Sequence, residues 1–299
     1  MTAFDGNNYC SKEGQDLAKA SGNTFYIKSN HLSSGEHISR LTLRGILHGY
    51  QYHQVGGHDH MVRKDNYLIV NKGQSYSSEI HTDRPIEAII VAFKDGILQE
   101  VYNNLTRPEL SLLDNPEGET TDRIELFENT YPQDRIILQA LLALKGGIIN
   151  QYRGPIFYEQ IHYLLLERII ANHLGVLEVV SSLETQKQST RAELYRRLAI
   201  AKDYIDAHFP NKLSLDNISK VAALSPYHFL RTFKTLFKTT PLEYLTQQRL
   251  RFAKYLLRNS DKPISQITLD VGFNDPSSFT RLFNKKFGIT PSAYRTTAN

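Results

Sequence analysis

Twenty-one residues, SPYHFLRTFKTLFKTTPLEYL at 225–245, return in altered form at 275–295 as DPSSFTRLFNKKFGITPSAYR. Laid together without gaps, they agree at eight positions: Pro226/Pro276, Phe229/Phe279, Arg231/Arg281, Phe233/Phe283, Phe237/Phe287, Thr240/Thr290, Pro241/Pro291 and Tyr244/Tyr294. Self-similarity at a fixed period means one supersecondary unit built twice, and that limits the fold before any single residue is interpreted.

At about 100° per residue, Phe229, Phe233, Leu236 and Phe237 share one sector of a helix, with Tyr227, Arg231, Lys234 and Lys238 opposite. The second copy places Phe279, Phe283 and Phe287 on the apolar side and Ser277, Arg281 and Asn284 on the other. The phenylalanines read as core. The outer face is the informative half, because both copies put arginine at the same place.

A shorter helix precedes each of these, SLDNISKVAAL and PISQITLDVGF, with Gly272 able to supply a positive φ. Ser225-Pro226 and Asp275-Pro276 match an N-cap followed by a first-turn proline. A short helix, a tight turn and a basic second helix make a helix-turn-helix, whose second helix enters the major groove. Arginine there bonds guanine O6 and N7 together. Lys234, Lys238, Asn284 and Lys285 are expected on phosphates, which fix register without reading sequence. Residues 241–258, PLEYLTQQRLRFAKYLLR, predict a rigid helix of roughly 27 Å between the units. Such a connector would hold two reading heads about one DNA turn, ~34 Å, apart.

Charge follows the same division. From Ser189 to Asn299 there are 18 Lys/Arg against 8 Asp/Glu, which leaves 17 basic and 23 acidic residues in the rest of the chain. A polyanion partner for the C-terminal third explains this asymmetry, and so does an ordinary basic surface. Cys10 is the only cysteine, which excludes an internal disulfide and a multi-cysteine zinc site. With no basic-then-apolar start and no apolar run near 20 residues, a cytoplasmic protein with no membrane partner is expected.

Earlier segments alternate and are rich in aromatics: SRLTLRGILHGYQYHQV, NYLIVNKGQSYSSEI and IEAIIVAF, separated by GGHD, RKDN, NKG and DRP. They predict a small β-barrel or sandwich over residues 20–94. Helical spacing follows in RIILQALLALKGG and PIFYEQIHYLLLERIIANHL, and SSLETQKQSTRAE reads as a linker.

The stretch ISQITLDVGFNDPSSFTRLFNKKFGITPSAYR resembles the second helix-turn-helix of the AraC/XylS family of bacterial transcription regulators, through VGF, SSFTRLF, FG and TPSAYR at this spacing. ISKVAALSPYHFLRTFK is similar to the family's first unit, and the resemblance covers residues 192–295. It implies an α+β chain: an effector-sensing, dimerising domain at 1–180 made of a cupin-like β-barrel and following helices, a linker at 181–192, and an all-α double helix-turn-helix domain at 193–299. Base-reading positions carried over are Tyr227, His228, Leu230, Arg231, Ser277, Ser278, Thr280 and Arg281. Two departures stand out, Ala223 and Lys238, both at places where the family usually has glycine. A left-handed backbone there costs about 1 kcal/mol, so the first turn is expected to be looser or differently built. Leu230 is apolar where the family often has a polar residue; it touches a thymine methyl or simply packs.

The partners implied are promoter duplex DNA, a small-molecule effector, a second copy of the chain and, for an activator, RNA polymerase; no cofactor is expected. Tyr50, Tyr52, His58, His60, Tyr67 and Tyr76 are candidates for the effector pocket, although strand packing explains the tyrosines equally well. On QIHYLLLERII, Ile161, Leu164, Leu165 and Ile169 make either a dimer face or the side of a helix that covers the barrel. The competing reading is a metal-dependent cupin enzyme fused to a DNA-targeting module, with His58 and His60 two apart on a strand. Asp65, the nearest downstream carboxylate, falls at the tip of the VRKDNYL turn, and His48, His53 and His81 lack ligand spacing. Alkyl transfer to a reactive cysteine is set aside because Cys10 stands alone.

Overall fold

The computed structural model describes residues 17–21, 23–106, 124–150, 154–181 and 188–298; Cys10 and residues 182–187 lie outside them. The chain divides into two compact units, Met1–Glu184 and Thr185–Asn299.

The first unit is an antiparallel sheet rolled into an almost closed barrel, eight-stranded among the described residues. Its strands are β1 (Leu17–Ser21), β2 (Thr24–Ile38), β3 (Thr42–His48), β4 (Tyr50–Val55), β5 (His58–Arg63), β6 (Asn66–Val70), β7 (Ser75–Ala92) and β8 (Thr130–Pro132). The expected strands are here, but β2 and β7 run 15 and 18 residues rather than being short. Their long ribbon bends at register shifts between Ser29 and His31 and between Ser34 and His37. The bend lets one end of β7 pair with β4 and the other with β3.

Alternation separates the two faces of the sheet. Ile27, Ile46, Leu68, Val70, Ile86 and Ile90 point inward and form one buried cluster with Val55, Val62, Tyr76 and Ile80. The outer face is covered by α2 (Arg135–Asn150) and α3 (Pro155–Ser181), with α1 (Ile97–Thr106) against α3. Helix α2 comes so close to β3 that a Cβ on Gly45 would lie 2.4 Å from Leu141 Cδ1. Thr24 Oγ1 hydrogen-bonds His162 Nε2 of α3 at 2.7 Å. Burial, then Lys94, lowers the His162 pKa to about 4, which leaves the ring neutral.

Helix α3 is apolar on more than one side, and the structure shows which side is used. Leu165, Leu166, Ile169 and Ile170 are buried, whereas Leu164 is exposed. Leu165 and Ile169 therefore belong to the core and not to a free dimer face.

The second unit is all helical: α4 (Gln188–His208), α5 (Leu215–Val221), α6 (Pro226–Phe237), α7 (Pro241–Asn259), α8 (Ile264–Asp270), α9 (Pro276–Phe287) and α10 (Pro291–Ala298). Helix α4 begins at Gln188, inside the stretch read as a linker. The connector α7 has 19 residues and is therefore ~28 Å long. Among the described residues, no helix is long and apolar enough to cross a membrane.

Candidate nucleic-acid interface

Both outer helices start as their sequences require. Ser225 accepts a hydrogen bond from the His228 amide at 3.4 Å, with Pro226 in the first turn of α6. At α9, the Asp275 carboxylate accepts from the amides of Ser277 at 3.1 Å and Ser278 at 2.8 Å. Hydrogen bonds from the Ser278 side chain and backbone, and from Ser277, hold Asp275 below the usual carboxylate range. Thr240 and Glu243 form a capping box at the start of α7, and hydrogen bonding to Thr240 likewise lowers the Glu243 pKa.

The repeated residues form the same aromatic ladder twice. Phe233 has ring centroids 5.3 Å from Phe229, 4.5 Å from Phe237 and 5.9 Å from Tyr244. The matching separations around Phe283 are 5.7 Å to Phe279, 4.7 Å to Phe287 and 6.0 Å to Tyr294. With the prolines and threonines starting helices, seven of the eight shared pairs serve architecture. The remaining pair, Arg231 and Arg281, is the one charged identity, and both are exposed.

Around them the outer face is polar and cationic. Tyr227, His228, Lys234 and Lys238 are exposed on the first unit, with Leu230 half-buried. On the second unit Ser277, Asn284 and Lys285 are exposed, with Ser278 and Thr280 half-buried. Pro276, Ser277, Thr280, Arg281 and Asn284 line a shallow depression along α9. The face suits a polyanion with readable edges: fixed positive charge for phosphates, and hydroxyl, amide and guanidinium groups for bases.

The two turns end their first helices alike. In the first, the Ala223 amide donates to Lys220 O at 3.0 Å and the Leu224 amide to Ser219 O at 3.0 Å. In the second, Gly272 donates to Leu269 O at 2.9 Å and Phe273 to Thr268 O at 3.0 Å. This is the Schellman arrangement in both copies. Ala223 adopts it at φ 50° and Gly272 at φ 87°. Missing glycine therefore does not rebuild this helix end; alanine takes the left-handed backbone instead. Likewise Lys238 closes α6 at φ 58°, where Gly288 closes α9 at φ 72°. The copies differ in length, with residues 222–225 joining the first pair of helices and the longer 271–275 joining the second.

Two supporting groups escaped the sequence reading. Arg249 of α7 donates from Nε to Phe209 O at 2.8 Å and from Nη2 to Asn211 O at 2.8 Å, fastening the end of α4 beside the Gly272 turn. Lys202 of α4 sits 2.9 Å from Asp203 and 3.0 Å from Asp206, and both Asp206 oxygens accept from the Tyr244 hydroxyl. Lys202 to Asp206 is a readable i,i+4 spacing. Tyr244 lies 38 residues away, beyond any local signal.

In the barrel, the effector-pocket candidates separate. Tyr76 and His60 are buried, whereas His58 is exposed at the strand start. Tyr50 and Tyr52 alternate with the buried Gln51, His53 and Val55 and face outward, with Tyr52 exposed. Tyr67 pairs with Gly45 on the face toward the helices and accepts a hydrogen bond from Asn172 at 3.1 Å. A site inside the barrel thus excludes Tyr50, Tyr52 and Tyr67. The interior instead contains Arg44, His53 and Ser78, which the sequence reading did not select. Asp65 lies in the β5–β6 turn, 3.4 Å from Arg63. No group of three His, Cys, Asp or Glu side chains among the described residues is placed to hold a metal ion.

Comparison with known proteins agrees with this geometry. A helix-turn-helix domain family matches residues 218–297. LumQ of Photobacterium leiognathi, a "Probable transcriptional regulator", is 34% identical over 199 residues, covering 66% of this chain and 75% of LumQ. The regulatory protein SoxS of Salmonella typhimurium is 36% identical over 93 residues, which are 31% of this chain and 87% of SoxS. Among solved structures, the DNA-binding domain of AdpA in complex with a target DNA aligns at 28% identity and TM-score 0.33, covering 34% of this chain and 91% of that one. The duplicated capped helices, their exposed arginines and the likeness to LumQ and SoxS lead to one conclusion: the chain belongs to the AraC/XylS family of DNA-binding transcription regulators.

Proposed function

We propose that α6 and α9 read consecutive major-groove segments of promoter DNA, and that a small molecule inside the barrel controls how they are presented. One observation carries the first half: the one charged identity in the repeat is arginine, exposed at the same turn of both helices. Tyr227, His228 and Leu230 flank Arg231 on the base-reading face, as Ser277, Ser278 and Thr280 flank Arg281. Lys234, Lys238, Asn284 and Lys285 hold phosphates. Supporting the second half is the barrel interior, which combines apolar walls with buried polar groups. Association of two copies would use apolar residues left exposed on these helices, Ile136, Leu142 and Ile149 on α2 and Ile156, Leu164 and Val179 on α3.

Selection of bound sequences by the full chain should return two short half-motifs about one helical turn apart. Arg231→Ala and Arg281→Ala should each lose information in one half only, with affinity for the best site falling by about 1–3 kcal/mol. If both variants return the wild-type motif at wild-type affinity, these helices do not read bases. Lys234→Ala should weaken selected and random duplexes alike, and the slope of log affinity against log salt should flatten by about one. A changed motif at unchanged slope would move Lys234 from phosphate to base.

A further inference from the structure

We propose that Tyr227 and Leu230 read thymine by its C5 methyl group, so that the DNA segment under α6 must carry thymine beside the guanine taken by Arg231, whereas the segment under α9 need not. This deepens the DNA reading above and rests on it. The two helices agree in arginine and differ around it. Ser277, Thr280, Arg281 and Asn284 line one depression along α9. The repeat puts Tyr227, Leu230, Arg231 and Lys234 at the matching positions of α6. Two hydroxyl side chains in one copy are thus a phenol ring and an isobutyl group in the other.

Tyr227 is 77% exposed, more than any other large apolar side chain among the described residues. It sits in the first turn of α6, directly after Pro226, where a major-groove helix brings side chains to base edges. Leu230 follows one turn later and is half-buried. At about 100° per residue it falls between buried Phe229 and exposed Arg231, and so borders the outer face beside Tyr227. An apolar pair in the open contrasts with the cations around it, Arg231, Lys234 and Lys238, all exposed. Those cations favour a nucleic acid over an apolar protein surface as what covers the pair. In the major groove the C5 methyl of thymine is the one apolar group that base edges present, and apolar side chains pack against it. Arginine bonds guanine O6 and N7 from the neighbouring position. Ser277 and Thr280 instead offer hydroxyl groups that both donate and accept, and these suit more than one base edge.

The test uses the full chain and its selected duplex, with thymine replaced by deoxyuridine, which keeps the pairing edge and loses only the C5 methyl. The α6 half is the part of the motif that changes in Arg231→Ala, and it should contain thymine next to the guanine lost there. Deoxyuridine in that half should weaken binding by about fourfold for each methyl in contact. In the α9 half the same replacement should weaken binding by less than about twofold. Tyr227→Ser combined with Leu230→Ser should bind thymine and deoxyuridine duplexes equally. If that variant does not fold, Tyr227→Ser alone, at an exposed position, should still shrink the difference. An α6 half without thymine, an affinity unchanged by deoxyuridine, or the full difference in the serine variants overturns the methyl reading. Failure of the underlying DNA reading looks different: Arg231→Ala then returns the parental motif, which removes α6 from the bases and the methyl reading with it.

Discussion

Replacing Lys202 by methionine is expected to destabilise the C-terminal unit by about 3–5 kcal/mol, because it strips a charge from a buried cluster while its counter-charges stay. The ammonium lies 2.9 Å from Asp203 and 3.0 Å from Asp206, whose carboxylates are almost fully buried. Burial disfavours the charged lysine, but Asp203 and then Asp206 outweigh it, so its pKa lies well above the ordinary 10.5. A raised lysine pKa contributes stability that is complete below the unfolded value and is lost only as pH rises through the folded one. Measurement near pH 7 therefore captures the whole effect.

The cluster also bears on DNA binding. Asp206 holds the Tyr244 hydroxyl at 2.9 and 3.0 Å, and the Tyr244 ring packs 5.9 Å from Phe233 of α6. Helix α6 is thus steadied from α4 through α7. Calorimetry on the full chain should show the affected transition moving down, and adding Asp206→Asn to Lys202→Met should recover part of the loss by removing a stranded charge. Lys202→Met melting like the parent protein would mean that water or rearrangement already compensates these carboxylates.

This cluster marks where the sequence stops being legible. The repeat could be read because each helix carries its own start, stripe and outer face within a dozen residues. Capping residues, phenylalanine ladder and exposed arginines all follow from local spacing. Contacts such as Tyr244 to Asp206, or Arg249 to Phe209, join residues 38 and 40 apart, and no periodicity encodes them. In the barrel, alternation identified strands but not which face is interior. That depends on register and on where α2 and α3 lie. Tyrosine content therefore favoured Tyr50, Tyr52 and Tyr67, which all point outward, while Arg44 and His53 went unselected. A signal was present in TLRGILH, where a charged residue alternates with apolar ones on a strand buried from Thr42 to Leu47. On α3 the difficulty was the reverse: apolar residues on more than one side left periodicity unable to separate core from free face.

Gly272→Ala and Ala223→Gly should shift stability in opposite directions, although both alter the same position of the repeated turn. At Gly272 the backbone has φ 87°, and an added Cβ would lie 2.5 Å from the Pro210 carbonyl oxygen and 3.0 Å from Arg249 Nε. Left-handed strain of about 1–2 kcal/mol then adds to overpacking of about 1–3 kcal/mol against backbone that cannot swing aside. The expected loss is about 3 kcal/mol, together with weaker binding to the half-motif read by α9. Ala223 already bears the strain at φ 50° and is exposed, so its methyl group has been accommodated. Removing that methyl relieves the left-handed penalty but gives the unfolded chain more freedom, and the difference leaves a gain of up to about 1 kcal/mol. Thermal unfolding of both full-length variants beside the parent measures the two signs directly. If Gly272→Ala costs no more than Ala223→Gly returns, the close approach of Pro210 to the second turn is not maintained in solution. The glycine there would then reflect φ alone.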